Sequence, residues 1–217
     1  MINYKKTNCG KIMKILFEDK SIIVCIKDRG LLSQSDDRGA QNMITELSLI
    51  TGTEIYPLHR LDREVGGVMV YAKTKQAAAK LSRDITDHKF IKEYVALIHG
   101  KPETESGEMS DLLFKDSRKN KSFVVKSERK GVKKALLEYT LLETKDDFSI
   151  VLVRLHTGRT HQIRVQFASR KIPLVGDKKY GAKDSAESIG LWSYRITFKH
   201  PMTGEMLCFT EKPDFEL

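Results

Sequence analysis

Charged side chains of both signs crowd residues 59–64, shortly before an apolar run at 68–72. Asp62 has Arg60 and Arg63 beside it in the sequence, and neighbouring guanidinium groups favour the ionised form of a carboxylate. A charge so close to a predicted core strand needs a structural or a functional reason. Two readings stay open for Asp62: an ion pair that anchors a loop, or a carboxylate that takes part in a reaction.

Polar donors are packed densely in a second segment, residues 155–165. Five of them fall within six residues: Arg159, Thr160, His161, Gln162 and Arg164. Gly158 permits a tight turn, and the helix predicted from residue 160 would offer free N–H groups to an anion. This arrangement places Arg164 one turn into the helix and leaves Arg159 in the loop. The alternative is a polar turn and helix cap, with Arg164 in solvent.

The charge of the chain is strongly positive and unevenly distributed. Its 217 residues include 38 Lys and Arg against 29 Asp and Glu, a formal net charge of +9. Residues 115–134 alone carry +7, from two acids and nine basic residues: Lys115, Arg118, Lys119, Lys121, Lys126, Arg129, Lys130, Lys133 and Lys134. This balance favours a polyanionic partner, namely nucleic acid, an anionic membrane surface or a phosphorylated substrate. For residues 115–134 two readings stay open: a solvated loop whose charge serves only solubility, or a basic hairpin facing phosphates, which the apolar interruption Phe123-Val124-Val125 favours.

Several classes of protein are disfavoured by what the sequence lacks. Cys9, Cys25 and Cys208 are far apart, which fits neither a disulfide framework nor a zinc ribbon. The six histidines form no cluster with metal-ligand spacing, and no GxGxxG, GxxxxGK[ST] or GxSxG motif occurs. We find no signal peptide and no apolar run long enough to span a bilayer, so we expect a cytoplasmic protein without a metal or a membrane partner.

The elements that must position these residues are mostly strands. Apolar runs and turn residues predict strands at 14–17, 21–27, 68–72, 92–99, 136–143, 148–156, 191–198 and 205–210. Apolar spacing predicts helices at 40–51, 75–88 (capped by Thr74) and 160–169. Regular βαβ alternation is missing, which favours an α+β fold with a mixed, largely antiparallel sheet. We expect one domain over residues 1–217, with 1–12 as a loose N-terminal extension.

Five motifs in this order closely resemble the RluA family of RNA pseudouridine synthases. They are HRLD at 59–62, Gly67 with AKT at 72–74, KEYVALIHG at 92–100, TGRTHQIRV at 157–165 and PLVGDKKYG at 173–181. Tyr194-Arg195, His200-Pro201 and Thr203-Gly204 fit the same pattern, so the resemblance covers about residues 15–210. Because the catalytic motifs begin almost at once, we expect a stand-alone catalytic domain without a preceding S4-like domain.

The resemblance implies an activity and its site residues. Family members isomerise uridine in RNA: they break the N1–C1′ bond, turn the uracil and rejoin it through C5, using no cofactor and no metal. The essential aspartate of the family corresponds to Asp62, its active-site tyrosine to Tyr94 and its arginine to Arg164. Paired with Asp62, Arg164 would keep that carboxylate ionised, and Tyr94 offers a ring for stacking and a hydroxyl for proton movement. The family fold is a mixed sheet with flanking helices and a central RNA-binding cleft.

The remaining site residues are predicted to bind the RNA substrate. They are His59, Arg60, Arg159, Thr160, His161 and Gln162, together with Lys130, Lys133 and Lys134 of the basic stretch. A buried base must leave its stack before it can react, so a residue should fill the vacated place, and Arg60 is our candidate for that wedge. The sequence does not decide whether Asp62 attacks C1′ or assists elimination to a glycal.

The chain also departs from the family pattern. Val65-Gly66-Gly67 replaces the usual Thr-Ser-Gly, Gln166 stands where His is common, and Asp28 replaces a Pro. These changes leave Asp62, Tyr94 and Arg164 in place. The main hypothesis is a monomeric pseudouridine synthase acting on tRNA or rRNA. The alternatives are an RNA-binding homologue that has lost catalysis and, more weakly, an enzyme that binds a phosphate ligand through residues 158–164.

Overall fold

The computed structural model describes residues 2–7, 12–35 and 39–216. The chain divides into two compact units, one built from Met1–Ile91 and Ser193–Lys212 and the other from Lys92–Trp192 and Pro213–Leu217. Within the described residues, no helix has both the length and the apolar composition to cross a bilayer.

The first unit is a sheet with two helices. Its elements are β1 (Asn3–Lys6), β2 (Ile12–Glu18), β3 (Ile22–Lys27), α1 (Met43–Thr51), β4 (Tyr56–Pro57), β5 (Gly66–Ala72), α2 (Lys75–Thr86), most of β11 (Leu191–Lys199) and β12 (Met206–Thr210). The strands lie in the order β1-β2-β3-β5-β11, with β4 paired to β5 and β12 to β11. Strands β3 and β5 are buried along their whole length, which explains why both are continuous apolar runs without alternation.

The second unit places one helix against a five-stranded sheet. Its elements are β6 (Ile91–His99), β7 (Ser106–Asp116), β8 (Lys121–Val125), β9 (Val132–Lys145), β10 (Phe148–Leu155), α3 (Gln162–Ser169) and a short 3-10 helix (Lys178–Tyr180). The strand order is β6-β10-β9-β7-β8. Leu113 of β7 and Ala135 of β9 pack with Val165 of α3 and with Tyr180 to form a small core.

The fold class is α+β, as predicted. The registers described for these strands are antiparallel, and an isolated parallel bridge joins Leu32 to Asn42. All eight predicted strands and all three predicted helices are present, and Thr74 caps α2 by accepting a hydrogen bond from the Ala77 N–H. No strand bounds were predicted for β1, β4, β7 or β8, although a basic hairpin was one reading of residues 115–134.

Two further predictions concern the N-terminus and the number of domains. Residues 3–6 of the predicted loose extension form β1, whereas 8–11, including Cys9, lie outside the described residues. Cys25 and Cys208 carry free thiols. The assignment of residues 1–217 to one domain stays a prediction.

Candidate active site

Asp62 lies in a turn that leads into β5. It is half-buried, and its carbonyl oxygen accepts a hydrogen bond from the Val65 N–H at 3.0 Å. The preceding Leu61 is buried, and its N–H and carbonyl group both bond to the Ser33 hydroxyl at 2.9 Å. The turn is therefore held from its buried side, while the Asp62 side chain keeps access to solvent.

Lys27 ties the same turn to the end of β3. Its ammonium group is fully buried and donates to the carbonyl oxygens of Asp28 at 2.9 Å, Leu31 at 2.6 Å and Arg63 at 3.1 Å. Burial lowers the pKa of Lys27 to about 8, although nearby carboxylates, including Asp62, act in the opposite direction. Sequence reasoning missed Lys27, although its position at the end of a continuous apolar run was a signal that its charge would be buried.

His59 and Arg60 precede this turn and have different surroundings. The Nε2 atom of His59 accepts a hydrogen bond from the Val70 N–H at 3.4 Å, and its ring lies 5.8 Å from that of Phe90. Arg60 is exposed, and its role as the wedge stays a prediction.

Arg164 is buried on α3 and bound by a carboxylate that the sequence did not identify. Its Nε donates to Asp177 Oδ2 at 2.7 Å and its Nη2 to Asp177 Oδ1 at 2.8 Å. Both side chains are buried, with relative exposures of 7% and 1%. The alternative that put Arg164 in solvent on the helix face is wrong.

Tyr180 lies at the centre of a network around Arg164. The guanidinium carbon of Arg164 is 5.2 Å from the centroid of the Tyr180 ring, and the Lys121 ammonium is 5.0 Å from it. The Tyr180 hydroxyl accepts from the Ser122 N–H at 2.8 Å and is hydrogen-bonded to His161 Nδ1 at 3.0 Å. Strand β8 and helix α3 are thus joined through a single aromatic side chain.

Helix α3 begins two residues later than predicted. His161 has a left-handed backbone conformation with a φ of 53°, which ends the preceding turn and makes Gln162 the first helical residue. Thr160 therefore lies in the loop, where its carbonyl oxygen accepts from the Ser122 hydroxyl at 2.7 Å.

Gln162 and Arg159 hold the loop before α3 together. Gln162 Oε1 accepts from the Thr157 hydroxyl at 2.7 Å and from the Arg159 N–H at 3.0 Å, while its Nε2 donates to the Leu136 carbonyl at 3.1 Å. The Arg159 Nε donates to the Lys134 carbonyl at 2.8 Å. These contacts show a structural use for both residues, and the predicted contact with substrate remains a prediction.

Tyr94 lies in β6 and is buried, with a relative exposure of 6%. Lys92 stands two residues earlier on the same strand, so both side chains point to the same face of the sheet. Burial lowers the pKa of Lys92. The sequence did not single out Lys92 as a site residue; its place two residues before Tyr94 was the available signal.

The basic stretch at 115–134 consists of the end of β7, the whole of β8 and the start of β9, and we call it the basic hairpin. Lys130, Lys133 and Lys134 are exposed, and so is Lys126 in the turn after β8. Lys121, within β8, is half-buried. Strand pairing therefore orders part of the stretch, and its predicted contact with phosphates stays a prediction beside the alternative of a charge that serves only solubility.

The predicted site residues divide between the two units. Asp62, His59 and Arg60 belong to the first unit, whereas Tyr94, Arg164 and the residues of the 159–162 loop belong to the second. The predicted pairing of Asp62 with Arg164 therefore stays a prediction. Among the described residues, no group of three or more His, Cys, Asp or Glu side chains could hold a metal ion.

Comparison with known proteins identifies the family of this chain. Residues 21–169 match the family model described as RNA pseudouridylate synthase. An uncharacterized RNA pseudouridine synthase of Aquifex aeolicus is 35% identical, covering 93% of this chain and 70% of that protein. The ribosomal large subunit pseudouridine synthase D of Borreliella burgdorferi is 31% identical, covering 84% of this chain and 60% of its own length.

A solved structure gives the same result for the fold. The human RNA pseudouridylate synthase domain containing 1 superimposes with a TM-score of 0.79 over 94% of this chain and 84% of that one, at 23% sequence identity. The chain belongs to the RNA pseudouridine synthases, which are isomerases, and the resemblance to the RluA family that its motifs predicted is confirmed.

Proposed function

We propose that this protein converts one or a few uridines of tRNA or rRNA to pseudouridine. The observation that carries the proposal is that a chain of this family retains the aspartate, tyrosine and arginine of the motifs as Asp62, Tyr94 and Arg164. The reaction is an isomerisation: the N1–C1′ bond breaks, the C5–C1′ bond forms, N1 gains a proton and C5 loses one. It needs no oxidant or reductant and, in this proposal, no cofactor.

Each of the three residues has a part that suits its chemistry. The Asp62 carboxylate acts at the ribose, either by attack on C1′ or by assisting elimination to a glycal. Arg164 provides a fixed positive charge near the reacting groups, and Asp177 holds its guanidinium plane in one orientation. Tyr94 contributes a ring against which the uracil can stack and a hydroxyl that can move a proton.

The residues around these three are proposed to bind the RNA. His59 and Arg60 flank the Asp62 turn, and Arg60 is the proposed wedge that replaces the flipped base. Arg159, Thr160, His161 and Gln162 would face the substrate before α3, while Lys130, Lys133 and Lys134 of the basic hairpin would contact backbone phosphates. A monomer that acts in the cytoplasm is part of the same proposal.

Release of tritium from RNA that carries [5-³H]uridine tests the activity, because the C5 proton leaves only when C5 bonds to C1′. Wild-type protein should release tritium from total tRNA or rRNA transcripts, and Asp62→Ala should reduce release to background. Asp146→Asn removes an exposed carboxylate from the turn between β9 and β10 and should leave the rate unchanged.

Two results would contradict the proposal. Release that survives in Asp62→Ala would remove Asp62 from the mechanism. Salt-sensitive RNA binding by the wild type without tritium release from any candidate RNA would favour a homologue that binds RNA without catalysis. Mapping pseudouridines in RNA from cells with and without this protein then identifies the target position.

A further inference from the structure

The sheet that the basic hairpin forms with the rest of β7 and β9 has two chemically different faces. Strand residues alternate between faces, so Leu113 of β7 and Ala135 of β9 point toward α3, where they pack with Val165 and Tyr180. Phe114, which pairs with Phe123 of β8 and Val132 of β9, points to the opposite side. We call this opposite side the outer face; it carries Leu112, Phe114, Phe123, Val125 and Val132.

The outer face is apolar but not covered in the second unit. Phe123 is 36% exposed, which is unusual for an aromatic residue within a strand, and the other four residues are only half-buried. Beside them lies an open depression of about 400 Å³ lined by Leu112, Glu128, Arg129, Val132 and Lys134. The exposed ring of Phe123 offers a surface against which another planar group can stack.

Cations surround this apolar surface. The guanidinium of Arg129 lies 4.9 Å from the centroid of the Phe114 ring, and the Lys121 ammonium lies 5.7 Å from that of Phe123. Lys134 is 83% exposed at the rim, where its nearest acid is Glu128 at 3.8 Å. The surface therefore combines aromatic rings with the exposed cations Arg129 and Lys134, whereas the Lys121 ammonium also donates to the Lys179 carbonyl and lies near the Tyr180 ring.

We propose that the outer face binds an unpaired nucleotide of the RNA substrate, whose base stacks on Phe123 and whose phosphates contact Arg129 and Lys134. This rests on the proposed function, because it assumes that RNA is the substrate. A nucleotide carries a planar aromatic group and a negative charge side by side, which matches this surface. Bases within a duplex have their faces covered by neighbours, so the surface selects single-stranded segments.

The nucleotide bound here is distinct from the uridine that reacts. Arg164 lies on α3, which packs against the inner face, whereas Phe123 belongs to the outer face. The Lys121 ammonium lies between the two sites, 5.7 Å from the centroid of the Phe123 ring and 5.0 Å from that of the Tyr180 ring. The outer face, which we also call the platform, would therefore recognise a nucleotide outside the reacting position. It would recognise the unpaired state of that nucleotide rather than its sequence. A second copy of this chain is a poor occupant, because two stretches of net charge +7 would repel each other.

Fluorescence anisotropy with the full-length protein tests the platform. The probes are a labelled ten-nucleotide single-stranded oligoribonucleotide and a blunt RNA duplex of the same sequence. Phe123→Ala should weaken single-strand binding by roughly 5- to 100-fold, the range expected when one aromatic stacking interaction is removed, and Phe123→Trp should preserve it. Duplex affinity should change by less than about twofold in both variants.

Val124 provides a matched control. It is 37% exposed, adjacent to Phe123 and on the other face of the strand, so Val124→Ala removes apolar area without removing a ring. This variant should bind both probes as the wild type does. A 2-aminopurine base in the single strand should lose fluorescence on binding to the wild type and not on binding to Phe123→Ala. Far-UV circular dichroism shows whether each variant keeps its fold.

Contrary results are easily recognised. The platform is wrong if Phe123→Ala binds the single strand normally, if Val124→Ala weakens binding equally, or if duplex binding falls in parallel. Dissociation of an oligomer by Phe123→Ala in light scattering would assign the surface to a second copy instead. Tritium release by the wild type is measured separately. The proposal for the outer face can therefore be contradicted while the synthase activity is confirmed, and the activity can be contradicted while binding at the outer face is confirmed.

Discussion

A buried guanidinium needs hydrogen-bond acceptors or an anionic partner, because arginine does not lose its proton in proteins. Arg164 meets this requirement through Asp177, which lies thirteen residues further along the chain and forms two charge-assisted hydrogen bonds with it. The sequence motifs identified Arg164 as a site residue. They did not identify its partner, because the pairing depends on how the 173–181 segment folds back over α3, which no local pattern specifies.

Asp177→Asn should therefore lower both stability and catalytic rate. The amide keeps one acceptor but loses the charge, and removal of one partner from a buried pair costs about 3 kcal/mol of unfolding free energy. We expect kcat to fall about tenfold or more, with a smaller change in KM, because Arg164 would keep its place in the chain but lose its fixed orientation. Urea unfolding and single-turnover tritium release measure the two effects.

The double variant with Arg164→Met provides the control for that prediction. Once the arginine is absent, Asp177→Asn no longer leaves a charge without its partner, so the stability costs of the two substitutions should be clearly less than additive. Costs that simply add would mean that Asp177 stabilises the fold without acting through Arg164.

Lys27 gives the protein a predictable response to pH. Burial lowers its pKa from 10.5 to about 8, so above pH 8 the folded protein releases a proton that the unfolded chain still holds. The Lys27 contribution to unfolding free energy is therefore least favourable below pH 8 and becomes more favourable as pH rises toward 10.5.

Comparison of wild type with Lys27→Met isolates this contribution. The difference in unfolding free energy, wild type minus variant, should grow by about 2 kcal/mol between pH 7 and pH 9.5. Urea unfolding at both pH values measures the change. Lys20→Met, which alters an exposed lysine, should show no such growth. A constant difference for Lys27→Met would mean that the buried amine keeps its ordinary protonation.

At the scale of elements, the sequence was most informative where apolar residues dominate. The buried strands β3 and β5 and helix α2, with Thr74 as its cap, follow directly from composition and spacing. Strands β7 and β8 did not, because their sequences are interrupted by charged residues and many of their side chains stay exposed or half-buried. Their pairing to each other and to β9 stabilises them, and that long-range pairing has no local signature.

The structure explains why the Val65-Gly66-Gly67 segment keeps the family's glycine at its third position. Gly67 lies at the start of β5 with a φ of +120°, and a Cβ there would lie 2.3 Å from the carbonyl oxygen and 2.6 Å from the nitrogen of Ser193. Only glycine permits this approach of β5 to β11, five residues after Asp62. Gly67 is a requirement of packing, independent of any hydrogen bond that the family's hydroxyl residues would make at the two preceding positions.

Gly67→Ala should accordingly destabilise the protein by about 3 kcal/mol, since both the backbone conformation and the contact with rigid backbone atoms oppose a Cβ. Gly204→Ala is the matched control, because Gly204 also has a positive φ, of +77°, but a Cβ added there would meet no atom within 4 Å. That substitution should cost only about 1 kcal/mol. Thermal unfolding of the two variants distinguishes close packing from backbone strain, and equal losses would exclude the packing argument.

At the scale of the whole molecule, the path of the chain explains why the sequence could identify the site residues but could not predict their distances from one another. The first unit takes its strands from both ends of the described chain, and the second is formed almost entirely by the middle. Motifs that follow each other in sequence, such as those containing Asp62 and Tyr94, therefore belong to different units. Spacing along the chain carries no information on the distances between them.

The location of charge, rather than its total, should determine how salt affects RNA binding. Replacing Lys130, Lys133 and Lys134 of the basic hairpin by Gln lowers the net charge of +9 by three. If each lysine binds a phosphate, the slope of log affinity against log salt should become less steep by roughly 0.7 to 0.9 for each lysine replaced. Affinity should fall to a similar degree for different RNA sequences, because phosphates carry no sequence information.

A control with the same loss of charge on α2 distinguishes phosphate contacts on the hairpin from a response of RNA to the overall field of the protein. Lys75, Lys80 and Arg83 lie on that helix, and their replacement by Gln also lowers the net charge by three. Filter binding or anisotropy between about 50 and 200 mM salt then compares the triple variants with wild type. A reduced slope only in the hairpin variant would place phosphate contacts on the hairpin. Equal reductions would mean that RNA responds to the overall field of the protein, because charges on a helix of the first unit would then act as effectively as those of the hairpin.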